Sequence, residues 1–308
     1  LQAVACSAQA IRAGEGRVFI GGGVESMTRA PYVMLKPGVA WDRRTPQVAD
    51  STVGWRFTNP AMPEDWTVSL GRTAENVAER YDISREEQDR FAVESQQRAQ
   101  HAMENCVFTD ELVPVEIPMR DGGTRSFTKD EHPRSGVTGE KLAGLEPAFM
   151  KDGTVTAGSS SGINDGAAAL AILDAELARE SSADVLARIV VSAVAGVDPG
   201  CMGLGPIPAT RKALERAGLT IGQIDLVELN EAFASQAVAC MRELQLDPAK
   251  VNIYGGAIAL GHPLGASGAK ILTTLVHALR RTRGRYGPAT MCIGVGQGIA
   301  MIVENPAA

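Results

Sequence analysis

The feature that most constrains this chain is a pattern written twice, once near each end. Residues 265–298, GASGAKILTTLVHALRRTRGRYGPATMCIGVGQG, follow the grammar of residues 1–26, LQAVACSAQAIRAGEGRVFIGGGVES: an apolar helix, a basic turn with Gly, a short strand and a Gly-rich exit. Such a repeat suits two similar halves; chance repetition of a grammar common in α/β proteins is the other reading. In the first copy Leu1, Val4, Ala5, Ala8 and Ile11 form one helical stripe, and Gly14 is a stop. Cys6 falls inside that helix and reads as a core or helix-packing thiol. Arg17–Ile20 reads as a buried strand that ends in Gly21, Gly22 and Gly23.

The remainder divides by texture. From about Thr28 to Thr156 the chain turns to Pro, Trp and charge, with a long polar helix from about Thr73 to Asn105 broken at DIS; this reads as a partly helical insertion. In residues 153–173, GTVTAGSSSGINDGAAALAIL, a Gly/Ser-rich loop runs into what reads as an Ala-rich buried helix. Beyond it, helices (Pro208–Ala217, Ala232–Leu244, Gly265–Arg283) alternate with strands (Asp225–Leu229, Ala289–Ile293, Ala300–Glu304), the signature of α/β layering. With 308 residues, two domains are the starting expectation.

A net charge of −6 with scattered Lys and Arg argues against nucleic acid as a partner. The five cysteines form no CxxC pair, which suits free thiols in a reducing, cytoplasmic setting. No run approaches the roughly 18 apolar residues of a membrane span; Val185–Val197 comes nearest and Arg188 interrupts it. Leu1–Ala13 lacks the basic leader and cleavage site of a secretory signal and reads as the middle of a protein.

Three loops carry chemistry. YGGAIALGHPLGASG (254–268) sets a lone histidine, His262, among small residues just before a long helix, where backbone can approach a ligand; a Gly-rich turn with a structural His is the other reading. In MCIGVGQG (291–298), Cys292 ends a strand, and Gly294 and Gly296 offer backbone N–H groups to an oxyanion. In LVELNEAFA (226–234), Asn230 and Glu231 follow a strand abruptly, at the carboxyl end where α/β sites gather; Asn is also an ordinary helix cap. There is no metal cluster, P-loop or complete GxGxxG after a strand, so phosphoryl transfer and NAD chemistry have no residues to stand on. A thiol with an imidazole suggests acyl transfer through a thioester.

These loops, with GGVESMTRAP (22–31), TAENVAERYDISREEQDRFAVESQ (73–96) and VTAGSSSGINDGAAA (155–169), resemble the thiolase family over essentially the whole chain. TVGWRFTNPAM, DEHPR, VELNEAF and CIGVGQG are most similar to members acting on 3-oxoadipyl-CoA; acetyl-CoA acetyltransferases and general β-oxidation thiolases are the alternatives. The resemblance implies an α/β fold of two similar βαβαβαββ halves in an αβαβα layered core. It assigns residues 1–27 to the first half, 28–157 to an inserted CoA-binding loop domain and the return from it, and 158–308 to the second half.

It further implies thiolytic cleavage of a 3-oxoacyl-CoA, or the reverse condensation. CoA and acyl-CoA thioesters would be the partners, with no cofactor, metal or membrane, in a homodimer or homotetramer. By position, His262 matches the GHP histidine that activates the nucleophilic Cys, and Cys292 the acid/base acting on the Cα of acetyl-CoA. Asn230 matches the asparagine that positions an oxyanion water, and Gly294 a backbone oxyanion donor. Ser161, Arg134, Phe149 and Leu70 match CoA- or pocket-lining positions.

Departures follow. Ser69 and Leu70 stand where acetoacetyl-CoA-specific members carry His-Met, and Ser159 replaces an Asn after VTAG. The family's nucleophile lies in a C-x-S-G motif immediately before L-Q-A-V, whereas this chain starts at that Leu. The expectation is therefore the C-terminal three quarters or so of a thiolase, with a non-catalytic CoA-binding remnant as the second possibility.

Overall fold

A computed structural model describes residues 1–308. The helices are α1 (Gln2–Arg12), α2 (Leu70–Arg80), α3 (Arg85–Glu104), α4 (Gly139–Ala143), α5 (Ala175–Glu180), α6 (Pro206–Ala217), α7 (Ala234–Leu244), α8 (Ala257–Leu260) and α9 (Leu264–Thr282). The strands are β1 (Val18–Ser26), β2 (Tyr32–Met34), β3 (Val48–Asp50), β4 (Val115–Pro118), β5 (Thr124–Phe127), β6 (Asp165–Leu173), β7 (Arg188–Gly196), β8 (Glu228–Leu229), β9 (Tyr286–Ile293) and β10 (Gln297–Glu304).

Two sheets enclose a helical layer. The larger has the order β7–β10–β9–β8, antiparallel except for β8 with β9, and the smaller pairs β1 antiparallel with β6. Alternation along β10 builds both sides of the larger sheet at once: Ala300 and Ile302 enter a core with α6 and α7, while Ile299, Met301 and Val303 enter a second core with α9. That second core also takes Leu1, Val4 and Ala5 of α1 and Ile172 of β6. The repeated helices α1 and α9 thus lie together between the sheets, with Leu1 packed against Gly268. The boundary between the sheets falls between β6 and β7.

The structure revises three expectations. The Ala-rich stretch expected to be helical is strand β6, paired in register with β1 from Asp165–Ser26 to Leu173–Val18. Ala169 and Ala168 lie opposite Gly22 and Gly23 of β1, and a Cβ on Gly22 would sit 2.5 Å from the Ala168 carbonyl, so cross-strand fit overrides helix propensity. Second, Gly21–Gly23 lie inside β1 and do not end it. A Cβ on Gly21 would stand 3.0 Å from the Val4 Cα, and one on Gly23 would stand 1.9 Å from the Gly265 carbonyl. The glycines are what let α1 and the start of α9 approach the sheet. Third, Cys6 is exposed on α1, where Gln2 Nε2 donates to its sulfur, and is not a core thiol.

The polar stretch near Thr73–Asn105 is two helices. Asp82 at φ 49° turns the chain between them, and Ser84 caps α3 by accepting from the Glu87 N–H. Helix α2 packs on α7, and α3 on α7 and α8, which lays the insertion over the second half. No helix is long and apolar enough to cross a membrane.

Candidate active site

Parallel pairing of β8 with β9 sets Leu229 opposite Thr290, so both strands end at one edge of the sheet. The Asn230 N–H donates to the Thr290 carbonyl, which fixes Asn230 beside the end of β9 and Cys292. His262 comes to the same edge from the turn between α8 and α9, where Gly261 at φ 87° has Asn164 against the position its Cβ would take. The structure brings Asn230 to His262 directly: Asn230 Nδ2 lies 3.2 Å from His262 Nε2.

Three further hydrogen bonds brace the imidazole and its loop. Nδ1 is 2.6 Å from Ser267 Oγ, Ser267 Oγ donates to the Pro263 carbonyl at 2.8 Å, and the His262 N–H donates to Asn164 Oδ1 at 3.2 Å. Because the Ser267 hydroxyl proton is committed to Pro263, the ring proton belongs on Nδ1 and Nε2 carries the lone pair. Burial pushes His262 down to about 4, and Lys270 acts in the same direction. The ring also sits just before the N-terminus of α9, where a cation is disfavoured. It is therefore neutral near pH 7, with its Nε2 lone pair accepting from Asn230 Nδ2. Asn230 Oδ1 is buried with no hydrogen-bond partner in the chain, an acceptor left open at the site.

Cys292 is buried, and burial pushes its thiol up to about 12, so it holds its proton near neutral pH. It packs in a cluster with Ala74, Val155, Met202, Ala232 and Phe233, flanked by Leu70. Phe149 completes this wall, edge-on to Phe233 with centroids 5.8 Å apart. Gly71 is required beneath it, since a Cβ there would stand 2.1 Å from the Phe149 ring.

The turn after Cys292 is strained: Val295 holds φ 68°, costly for a β-branched residue, beside Gly296 at φ 76°. A Cβ on Gly294 would meet nothing within 4 Å, so its backbone borders open space.

The remaining expected positions sit around this centre. The Ser161 N–H donates to the Ala232 carbonyl, joining its loop to the one that carries Asn230. Ser159 accepts from the Thr156 N–H at 2.9 Å, so serine closes the VTAG turn locally. Arg134 is exposed, and its N–H donates to Gln96 Oε1. It reaches neither His262 nor Cys292; it flanks His132, whose ring lies 2.1 Å from where a Gly162 Cβ would be, which places it beside the Ser161 loop.

Glu231, which the sequence marks beside Asn230 at the strand end, points away from the site and accepts from Ser95 Oγ (2.7 Å), Asn252 Nδ2 (2.8 Å) and the Ile258 N–H (3.1 Å). Two other supporting residues, Ser267 and Asn164, were not singled out from sequence. Ser267 carried a usable signal, since it lies in the first turn of the helix that His262 precedes. Asn164 carried none.

The chain matches the family model described as thiolase, N-terminal domain, over residues 1–176 and that described as thiolase, C-terminal domain, over residues 183–305. It is 52% identical to 3-oxoadipyl-CoA/3-oxo-5,6-dehydrosuberyl-CoA thiolase of Escherichia coli (strain K12), over 99% of this chain and 77% of that one. It is 49% identical to an acetyl-CoA acetyltransferase of Pseudomonas aeruginosa, again over 99% and 77%. Human mitochondrial 3-ketoacyl-CoA thiolase superposes with a TM-score of 0.92 at 43% identity, over 99% of this chain and 76% of that one. The same human protein in complex with CoA gives 0.91.

Proposed function

The chain belongs to the thiolase family, and from that premise we propose that it serves thiolysis of 3-oxoadipyl-CoA to succinyl-CoA and acetyl-CoA. The observation that supports the acyl-transfer chemistry is the contact of Asn230 with a neutral, braced His262 where the Asn230 N–H also joins β9, the strand that carries the protonated Cys292. The dicarboxylic substrate is supported by the 52% identity to the E. coli enzyme and by Ser69-Leu70 in place of His-Met.

In this reading a sulfur nucleophile, which the family places just before its L-Q-A-V helix, gives its proton to His262 Nε2 and attacks the 3-oxo carbon. The thiolate and imidazolium form together, so their opposite charges offset the burial that disfavours either alone. Asn230, with the water it holds, and the Gly294 N–H receive the developing oxyanions. The C2–C3 bond breaks, its electron pair passes to the enolate of acetyl-CoA, and Cys292 Sγ–H delivers a proton to C2. A thiol kept protonated by burial is the form this step needs. CoA then gives its thiol proton to the Cys292 thiolate and takes the succinyl group, and His262 returns its proton to the leaving sulfur.

Ser161, Phe149 and Leu70 would line the approach of CoA, supported by their places around the Asn230 loop and the Cys292 wall, and Arg134 would flank it from beside the Ser161 loop. Assembly into a homodimer or homotetramer belongs to the same proposal, supported by Tyr32, Met34, Leu35 and Trp41, which stand exposed at hairpin β2–β3. The test is thiolysis by the complete gene product of 3-oxoadipyl-CoA against acetoacetyl-CoA at equal CoA. Higher kcat/KM for 3-oxoadipyl-CoA is expected; faster cleavage of acetoacetyl-CoA would reassign the substrate.

A further inference from the structure

Lys270 lies on α9, two turns beyond His262, and faces inward. Its ammonium donates to the Gly261 carbonyl at 3.3 Å, the peptide group immediately before His262. The carboxyl groups of Asp130, Glu228, Glu111 and Glu231, from three separate segments, act on its charge. Glu111 is itself tied to α9 one turn on, where Thr274 Oγ1 donates to it at 3.0 Å. Burial works against the charge on Lys270 while the surrounding carboxyl groups favour it, and its ammonium is anchored on a backbone carbonyl, so a half-buried lysine at this spot calls for a purpose.

We propose that Lys270 is a positioning residue for His262: its ammonium ties down the Gly261 carbonyl and holds a fixed positive charge beside the imidazole. The first effect completes the bracing of the loop, since the carbonyl before His262, its own N–H and its ring nitrogens all then have partners. The second keeps the ring neutral and ready to accept a proton, adding to the effect of burial. The other polar groups facing this loop are Asn164 from the segment before β6, Asn230 after β8, Ser267 on α9, and Glu25 of β1, which accepts from the Gly265 N–H at 3.0 Å. Among these neighbours Lys270 supplies the positive charge.

The inference rests on reading His262 as the base, but its test does not require turnover. The chain has four histidines, so the His262 ring can be titrated by NMR and identified by the signal that His262→Asn removes. Lys270→Met removes charge and hydrogen bond together, Lys270→Gln keeps a donor without charge, and Lys270→Arg keeps both. We expect the His262 pKa to rise by roughly half a unit to one unit in the Met and Gln variants and to stay at the wild-type value in the Arg variant. Should the Met variant fail to fold, the Gln variant carries the test. An unchanged His262 titration in Lys270→Gln overturns the inference. If the titration moves but the acidic limb of kcat/KM in the complete gene product does not, the role of His262 as base fails and that of Lys270 stands.

Discussion

Removing the Glu231 carboxylate should cost this protein's second half a large part of its stability. Glu231→Ala strands three buried donors at once: Ser95 Oγ–H, Asn252 Nδ2–H and the Ile258 N–H. Each costs about 1–3 kcal/mol when left without a partner. The same change relieves the penalty of burying a carboxylate, which raises the Glu231 pKa in the folded state and offsets part of the loss. Asn252 spreads the damage, because it also accepts from the Leu229 N–H and donates to the Leu229 carbonyl, both at 2.8 Å, pinning β8.

A net loss of about 3–5 kcal/mol follows, a large share of the 5–15 kcal/mol that typically holds a domain. Glu231→Gln keeps the volume but turns one acceptor into a donor, and should lose only about 1–2 kcal/mol. Equilibrium unfolding in urea, read with an unchanged m-value, measures both. A loss under about 1 kcal/mol for the alanine variant would refute the assignment of Glu231 as the structural hub beneath the Asn230 loop.

Two further perturbations probe the site's electrostatics and its close packing. Above pH 6.5 the folded and unfolded chains both hold His262 neutral; as pH falls from 6.5 towards about 4 the unfolded chain takes up a proton that the folded one cannot, so stability is lost across that window. The gap, at about 1.4 kcal/mol per pH unit, comes to about 3 kcal/mol. Burial pushes Glu111 up to about 7, which works in the opposite sense, so the quantity to measure is the difference between wild type and His262→Asn in urea unfolding from pH 7 to pH 4. That difference should shrink steadily towards pH 4, and a pH-independent difference would contradict the burial argument.

Gly298→Ala should cost at least about 2 kcal/mol, because the new Cβ would stand 2.0 Å from the Gly205 carbonyl, backbone that no rotamer can clear. Gly298 pairs with Cys292 across β10 and β9, so acyl transfer should fall with stability; unchanged melting would sink the close-packing claim.

Much of this architecture was legible in the chain itself. The twin helix–strand pattern marked α1 and α9 as equivalent elements, and the structure lays them side by side; the polar or Gly-rich ends of LVELNEAFA and GHPLG marked two loops that meet, through Asn230 and His262. Local propensity failed where tertiary contact decides. Ala-rich β6 is a strand because β1 offers it glycines, and those glycines exist because two helix starts approach them, facts about segments far apart in the chain. Periodicity placed Cys6 on a helix but not on its outward face. Nothing in the sequence marks Lys270, and Glu231 reads as a site residue and not as a structural acceptor, since their partners come from residues 95, 111, 130, 228, 252 and 258.

The central claim is that Cys292 moves the proton at C2 of acetyl-CoA within a site built by His262 and Asn230. Its most direct measurement is exchange of the acetyl methyl protons of acetyl-CoA in D2O, followed by NMR with the complete gene product. Exchange should proceed in the wild type and fall by at least about a hundredfold in Cys292→Ala, with acetyl-CoA binding retained. Exchange at the wild-type rate in Cys292→Ala would contradict it.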